Sequence, residues 1–239
     1  MKQITRITCG LALLLSSACT AHVFSPPANL APLESVRVTE EGTHKFAGFA
    51  SIQEIDFGPR TTTLTLRARR GLGQNLDLGL DAHAVAFDTD RGADQEAERL
   101  LGIVRLGGKW SPLDNYVALS AGVGAGAHPG GQFIAPDLGI VLAYENPYLI
   151  PFANLSGFLS QPINAQAVDI SHREQPIGTV VQSPQFTWGA TWALGLKLPL
   201  TNAAGTAISP YLGLSGMMLW DEVEHMRIMG MTAGIDAAF

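Results

Sequence analysis

Residues 75–87 alternate strictly. Leu76, Leu78, Leu80, Ala82, Ala84 and Ala86 take one face, and Asp77, Gly79, Asp81 and His83 take the other. A period of two is the signature of a β-strand, whose side chains point to opposite sides in turn. The pattern returns at 185–198, where Phe186, Trp188, Ala190, Trp192, Leu194, Leu196 and Leu198 oppose Thr187, Gly189, Thr191, Gly195 and Lys197. It returns again at 61–70, with Leu64, Leu66 and Ala68 set against Thr63, Thr65, Arg67 and Arg69. Beyond Thr43 there is no sustained 3.6-residue period and no run of 18 apolar residues. The chain therefore reads as all-β.

Ten such segments can be drawn, at about 43–54, 61–70, 75–87, 98–110, 115–127, 132–144, 147–158, 185–199, 208–220 and 226–239. Short turns follow the second, fourth, sixth and eighth, around Gly73-Gln74, at 111–114, at Glu145-Asn146 and at 201–205. Longer polar loops follow the third, seventh and ninth, at 88–97, 160–184 and 221–225. Short turns on one side, long loops on the other and an even strand number predict an antiparallel transmembrane β-barrel, with both ends on the short-turn, periplasmic side. Closure follows because bare sheet edges cannot sit in lipid. Ten strands is the count these segments give, and eight is the alternative.

Composition agrees. Charged residues make up only 15% of the 239, against about 25% in an average soluble chain, too few for the solvated face of a soluble β-sandwich lipoprotein, the rival architecture. The net charge of -6 leaves no basic stripe for a nucleic-acid partner. Trp188 and Trp220 fall at the loop ends of their segments, and Trp110 and Tyr144 at the turn ends, as the two aromatic girdles of a membrane barrel require. Pro136 and Pro151 lie inside the sixth and seventh segments, where a missing N–H predicts a bulge or shift.

The hairpin Arg69-Arg70-Gly71-Leu72-Gly73-Gln74-Asn75-Leu76-Asp77-Leu78-Gly79-Leu80 resembles the first periplasmic hairpin of Gram-negative outer-membrane β-barrel proteins. The last segment, with Met229, Met231, Ala233, Ile235, Ala237 and a terminal Phe239, is similar to their assembly signal, although Ala237 stands where an aromatic is common. The resemblance spans about 43–239. It implies residence in the cell outer membrane, contact with its lipid and with the barrel assembly machinery, and no particular activity.

The N-terminal region reads separately. Lys2 and Arg6 precede the apolar run Ile7–Leu15 and the small residues Ser16-Ser17-Ala18, the layout of an export signal over residues 1–18. Leu15-Ser16-Ser17-Ala18-Cys19 resembles a bacterial lipoprotein signal, which implies lipidation of Cys19, with Ser16 where the pattern prefers Leu. Ordinary cleavage leaving a free thiol is the alternative. Residues 19–42, with Pro26, Pro27 and Pro32, read as a lipidated or extended tether to a barrel over 43–239.

The inward face of that barrel carries Arg67, Arg69, Asp77, Asp81, His83, Arg105, Lys109, Asp137, Lys197 and Asp236. A hairpin centred on Gly73 sets Arg69 opposite Asp77 and Thr65 opposite Asp81. Mixed charges so placed pair across strands and stiffen the lumen. The function expected is structural or surface-interacting, with an extracellular ligand at loop 160–184. A narrow channel through the polar lumen is the second reading, and a barrel enzyme at the outer leaflet, using His83, Ser156 and Glu224, the third. Asp169, His172 and Glu174 have the donor types of a metal site, but a solvated loop is the simpler reading, and no metal or cofactor is expected. Gly122, Gly124 and Gly126 mimic a phosphate loop only in letters, since they lead into no helix.

Overall fold

The computed structural model describes residues 23–30, 33–55, 60–88, 100–113, 115–128, 130–169, 181–201 and 207–239. Ten long strands form the wall: β1 (His44–Ile55), β2 (Arg60–Gly73), β3 (Leu76–Asp88), β4 (Leu100–Leu113), β5 (Val117–His128), β6 (Gly131–Ala143), β7 (Ile150–Ile163), β10 (Thr187–Lys197), β12 (Ala207–Trp220) and β13 (His225–Ala238). Each pairs antiparallel with its neighbours in sequence, β7 with β10 and β10 with β12. The first and last strands then meet, from Lys45↔Ala238 to Ile55↔Ile228, and His44 and Phe239 exchange two backbone hydrogen bonds at 3.1 and 2.9 Å. The sheet is closed, and the strand count is ten. Three two-residue strands, β8 (Val168–Asp169), β9 (Val181–Gln182) and β11 (Leu200–Thr201), extend the connections.

The alternation fixes two surfaces. Leu64, Leu66, Leu80, Val104, Leu106, Leu138, Leu155, Leu194, Leu212 and Met231 stand exposed on the outside. On β2 the outward charges are Arg60 and Arg70, ten residues apart. At ~3.3 Å per residue and a tilt of ~40°, they bracket an apolar band of about 25 Å, the height a transmembrane barrel needs. Trp188 and Trp220 stack at one edge of the band, with centroids 5.0 Å apart. Tyr116 and Tyr144 meet at the other, 6.2 Å apart, with Trp110 also exposed there.

Local chemistry sets the turns. Gln74 and Asn75 both take positive φ, 51° and 59°, so the β2–β3 hairpin closes on a two-residue turn of the kind Asn favours. A bulge between Gly71 and Gly73 then sets Arg67 opposite Asp81 and Thr65 opposite His83. The expected pairs, Arg69 with Asp77 and Thr65 with Asp81, are therefore two residues out: the hairpin centres between Gln74 and Asn75 instead of on Gly73, which shifts the pairing by three, and the extra Leu72 on β2 takes one back. The two prolines shift nothing. Pro136 pairs with Val123 on one side, and the β6–β7 ladder merely skips from Ile134↔Gln161 to Asp137↔Phe158. Pro151 is the second residue of β7, beyond the last β6–β7 pair at Phe152. Residues 160–163, expected in a loop, belong to β7.

Candidate functional site: the filled lumen

Residues 23–30 and 33–42 do not lie outside the barrel. They line its lumen from one rim to the other. At the long-loop rim Gln185 N–H donates to Val23 O at 3.4 Å and Ser25 N–H to Thr187 Oγ1 at 2.9 Å. The Ser25 and Ser160 hydroxyls meet at 2.7 Å, and Ser160 also donates to Pro26 O. Below this, Ala28 and Leu30 pack among Val85, Ile103, Phe133, Phe158 and Leu219. Leu33 reaches a second cluster with Phe49, Phe152 and Tyr211. At the short-turn rim Val36 packs on Ala118 and Val141, Thr39 N–H donates to Asp77 Oδ2 at 3.0 Å, and Glu41 bridges to Gly71.

Two features of the sequence make room for this segment. An eight-stranded interior is just filled by its own side chains, and two further strands widen it enough for one extended chain. Where the segment comes closest, the wall is glycine: a Cβ on Gly124 would meet Ala28, and one on Gly71 would meet the backbone carbonyls of Thr39 and Glu40. The buried backbone polar groups must also be matched. Pro26 and Pro27 present no N–H, and wall side chains serve several carbonyls: Arg67 donates to Leu33 O at 3.0 Å, and Lys109 Nζ to Ser35 O and Arg37 O, both at 2.9 Å.

The lumen charges gather in its short-turn half, buried except for the partly exposed Glu34 and Lys45. Asp81 accepts from Arg67 at 3.0 Å, from Arg69 at 2.8 and 3.1 Å, and from Arg105 at 3.0 Å. Arg105 also grips Asp137 with two bonds of 2.6 Å. Glu34, contributed by the threaded segment, lies 3.3 Å from Lys109, 3.7 Å from Arg69 and 4.0 Å from Arg67. Beside it Asp236 takes Lys45 at 2.8 Å, Lys197 at 3.4 Å and the Tyr211 hydroxyl at 2.5 Å. Paired and hydrogen-bonded on several sides, these groups meet the condition under which charge can be buried. Between them lies a cavity of about 10 Å³ lined by Glu34, Lys45, Arg67, Tyr211 and Asp236 among others, room for about one water.

Sequence reasoning found Arg67, Arg69, Asp77, Asp81, His83, Arg105, Lys109 and Asp137 on the inner wall, and the structure places them there. It missed Glu34, Lys45 and Tyr211. Lys45 and Tyr211 were available from the alternation of β1 and β12, while Glu34 lies where no alternation announces a strand. The three residues of the enzyme reading sit apart. His83 faces inward on β3 and shares a 2.8 Å hydrogen bond with Thr65; Ser156 is on β7, four strands further round the wall, and Glu224 is in the 221–224 turn, its N–H bonded to Asp221. Among the described residues no three His, Cys, Asp or Glu side chains form a metal-holding group. Residues 1–22, including Cys19, and His172 and Glu174 lie outside the described residues. Gly122, Gly124 and Gly126 do not cradle phosphate: they keep the inner wall of β5 clear for Arg105, Ala28 and Phe133.

A closed antiparallel barrel with an apolar outer wall and an aromatic girdle at each edge defines an outer-membrane β-barrel, a protein of the Gram-negative cell outer membrane. Among solved structures, the chain is similar to the beta domain of the Bordetella autotransporter BrkA, at 13% identity over 84% of this chain and 99% of that one, with a TM-score of 0.49. It is also similar to the N-terminal β-barrel domain of Pseudomonas aeruginosa OprF, at 8% identity over 83% of this chain and 98% of that one (TM-score 0.36). Pseudomonas aeruginosa OprG covers 86% of this chain and 99% of its own at 12% identity (TM-score 0.31). No family model matches the sequence, and no curated protein does.

Proposed function

We propose that this protein is a sealed outer-membrane barrel with a structural or surface-interaction role in the envelope, acting through its long-loop rim and not through its lumen. One observation carries the reading: residues 23–30 and 33–42 occupy the lumen at both rims and between them, held by the Ser160 and Thr187 hydroxyls at one end and by an ion-pair network at the other. A solute path would have to pass both the apolar layer around Leu30, Phe133 and Phe158 and the charged layer around Asp81. The connection after β7, which contains the β8–β9 pair, is the surface proposed to meet an extracellular ligand. Phe239 is proposed to address the assembly machinery and Cys19 to carry a lipid, each on its sequence pattern.

The test is electrical. The purified full-length barrel, reconstituted in a planar bilayer, is expected to show no steady conductance. Stable conductance steps that vanish or change size in Arg105→Ala or Asp137→Ala would replace this reading with the narrow channel.

A further inference from the structure

Strands β1 and β13 begin and end at the short-turn rim, as a barrel with periplasmic strand termini requires. The chain ahead of β1 does not stay there. It turns at Gly42, where φ is +76°, re-enters the lumen, and reaches the opposite rim at Val23 and Phe24. We infer that the barrel carries the far end of this segment, at Val23 and Phe24, to the outer face of the membrane, through its own lumen. The inference rests on the reading that the long loops face outward.

The direction of the segment is encoded in the chemistry of the wall. Among the described residues the long-loop half of the lumen buries no lysine, arginine or carboxylate: an apolar layer around Val85, Leu101, Ile103, Phe133 and Phe158 lies beside neutral polar side chains such as Gln53, Thr63 and Ser215, and is capped by the hydroxyls of Ser160 and Thr187. The short-turn half is charged, and its wall cations outnumber its wall carboxylates: Arg67, Arg69, Arg105, Lys109, Lys197 and the partly buried Lys45 against Asp77, Asp81, Asp137 and Asp236. The segment matches both halves in one orientation. Ala28 and Leu30 meet the apolar half, and Glu34 supplies an anion to the cationic half. Run the other way, the segment would put the Glu34 carboxylate among phenylalanine rings and leave Lys109 without its anion, and burying an unpaired charge is strongly unfavourable.

Two sets of variants test this in intact cells, after unboiled gel mobility shows each barrel folded. An epitope is inserted between His22 and Val23, in the 221–224 turn, or in the 145–148 turn, and cells are probed with antibody before and after permeabilisation. Independently, cysteine is placed at Val23, Glu222 or Glu41 in a Cys9→Ala, Cys19→Ala background and probed with a membrane-impermeant maleimide. The expected result is that the sites at Val23 react in intact cells as the 221–224 sites do, while those at Glu41 and 145–148 react only once the outer membrane is breached. If the 221–224 sites react in intact cells and neither Val23 probe does, the threading is wrong while the orientation stands. If Glu41 reacts and Glu222 does not, the outward orientation of the long loops is wrong, and the inference falls with it.

Discussion

Arg105 on β4 and Asp137 on β6 join across the full width of β5, through paired bonds of 2.6 Å from Nε and Nη2. The strand between them contributes Gly122, where a Cβ would fall on the guanidinium. The wall is thus cross-braced through a gap left by a missing side chain. Asp137→Asn removes one anion from a buried cation that still holds Asp81, and is expected to cost about 3 kcal/mol, the lower end for breaking a buried pair. Gly122→Val should destabilise as well, by displacing Arg105. The temperature at which the compact, unboiled gel band disappears should fall for both; an unchanged transition in both would show that the brace contributes nothing.

Leu66 stands 60% exposed on the outer wall of β2, midway between Arg60 and Arg70. In lipid, Leu66→Arg should destabilise the barrel by roughly 2–4 kcal/mol. On the solvated face of a soluble sandwich the same change would be near neutral. Urea unfolding in lipid vesicles, read from tryptophan emission, separates the two environments, with Glu54→Arg at the rim as the mild control.

Glu34 is the anion through which the threaded segment meets Arg67, Arg69 and Lys109. Glu34→Lys sets a further cation among them and should drive the short-turn half of the segment out of place. A bilayer silent with the unaltered protein should then show conductance, and Glu34→Gln should give a smaller or briefer effect. Silence from Glu34→Lys in a correctly folded barrel would mean that the apolar layer around Leu30 seals the lumen unaided.

His83 is buried, and its Nδ1 lies 2.8 Å from Thr65 Oγ1. Its ring braces β3 against β2, so His83→Ala is expected to lower stability by about 1 kcal/mol, the worth of a typical hydrogen bond. The lipid and peptide profiles of the outer membrane should not change. A changed profile in cells whose barrel level matches the unaltered strain would revive the enzyme reading.

The wall was legible because a strand period of two is written residue by residue: each of the ten expected segments overlaps an observed strand, and the inward charges follow from the same parity. Register was less so, since it hangs on one turn. Centring the hairpin on Gly73 instead of between Gln74 and Asn75, an error that the bulge at Leu72 only partly offsets, moved the pairing by two residues and hid the Arg67–Asp81 pair. The threaded segment was not legible at all. Its partners are 74 residues distant for Lys109 and Ser35, and 162 for Ser25 and Thr187, and its proline-rich, non-alternating composition is that of a linker. Only the wall reveals why Leu33 and Val36 are apolar and Glu34 is not.

The seam between β1 and β13 gives the threaded segment a consequence in time. The residues that fill the centre precede all ten wall strands, and the strand that shuts the wall around them follows the other nine. Contacts that span so much of the chain are slow to form, because a long loop must be closed before any of them is gained. The segment ahead of β1 therefore gains its full set of wall partners only when the closing strand arrives, and whatever escorts the chain to the membrane must keep residues 23–30 and 33–42 within the curl of the sheet until the two edges join.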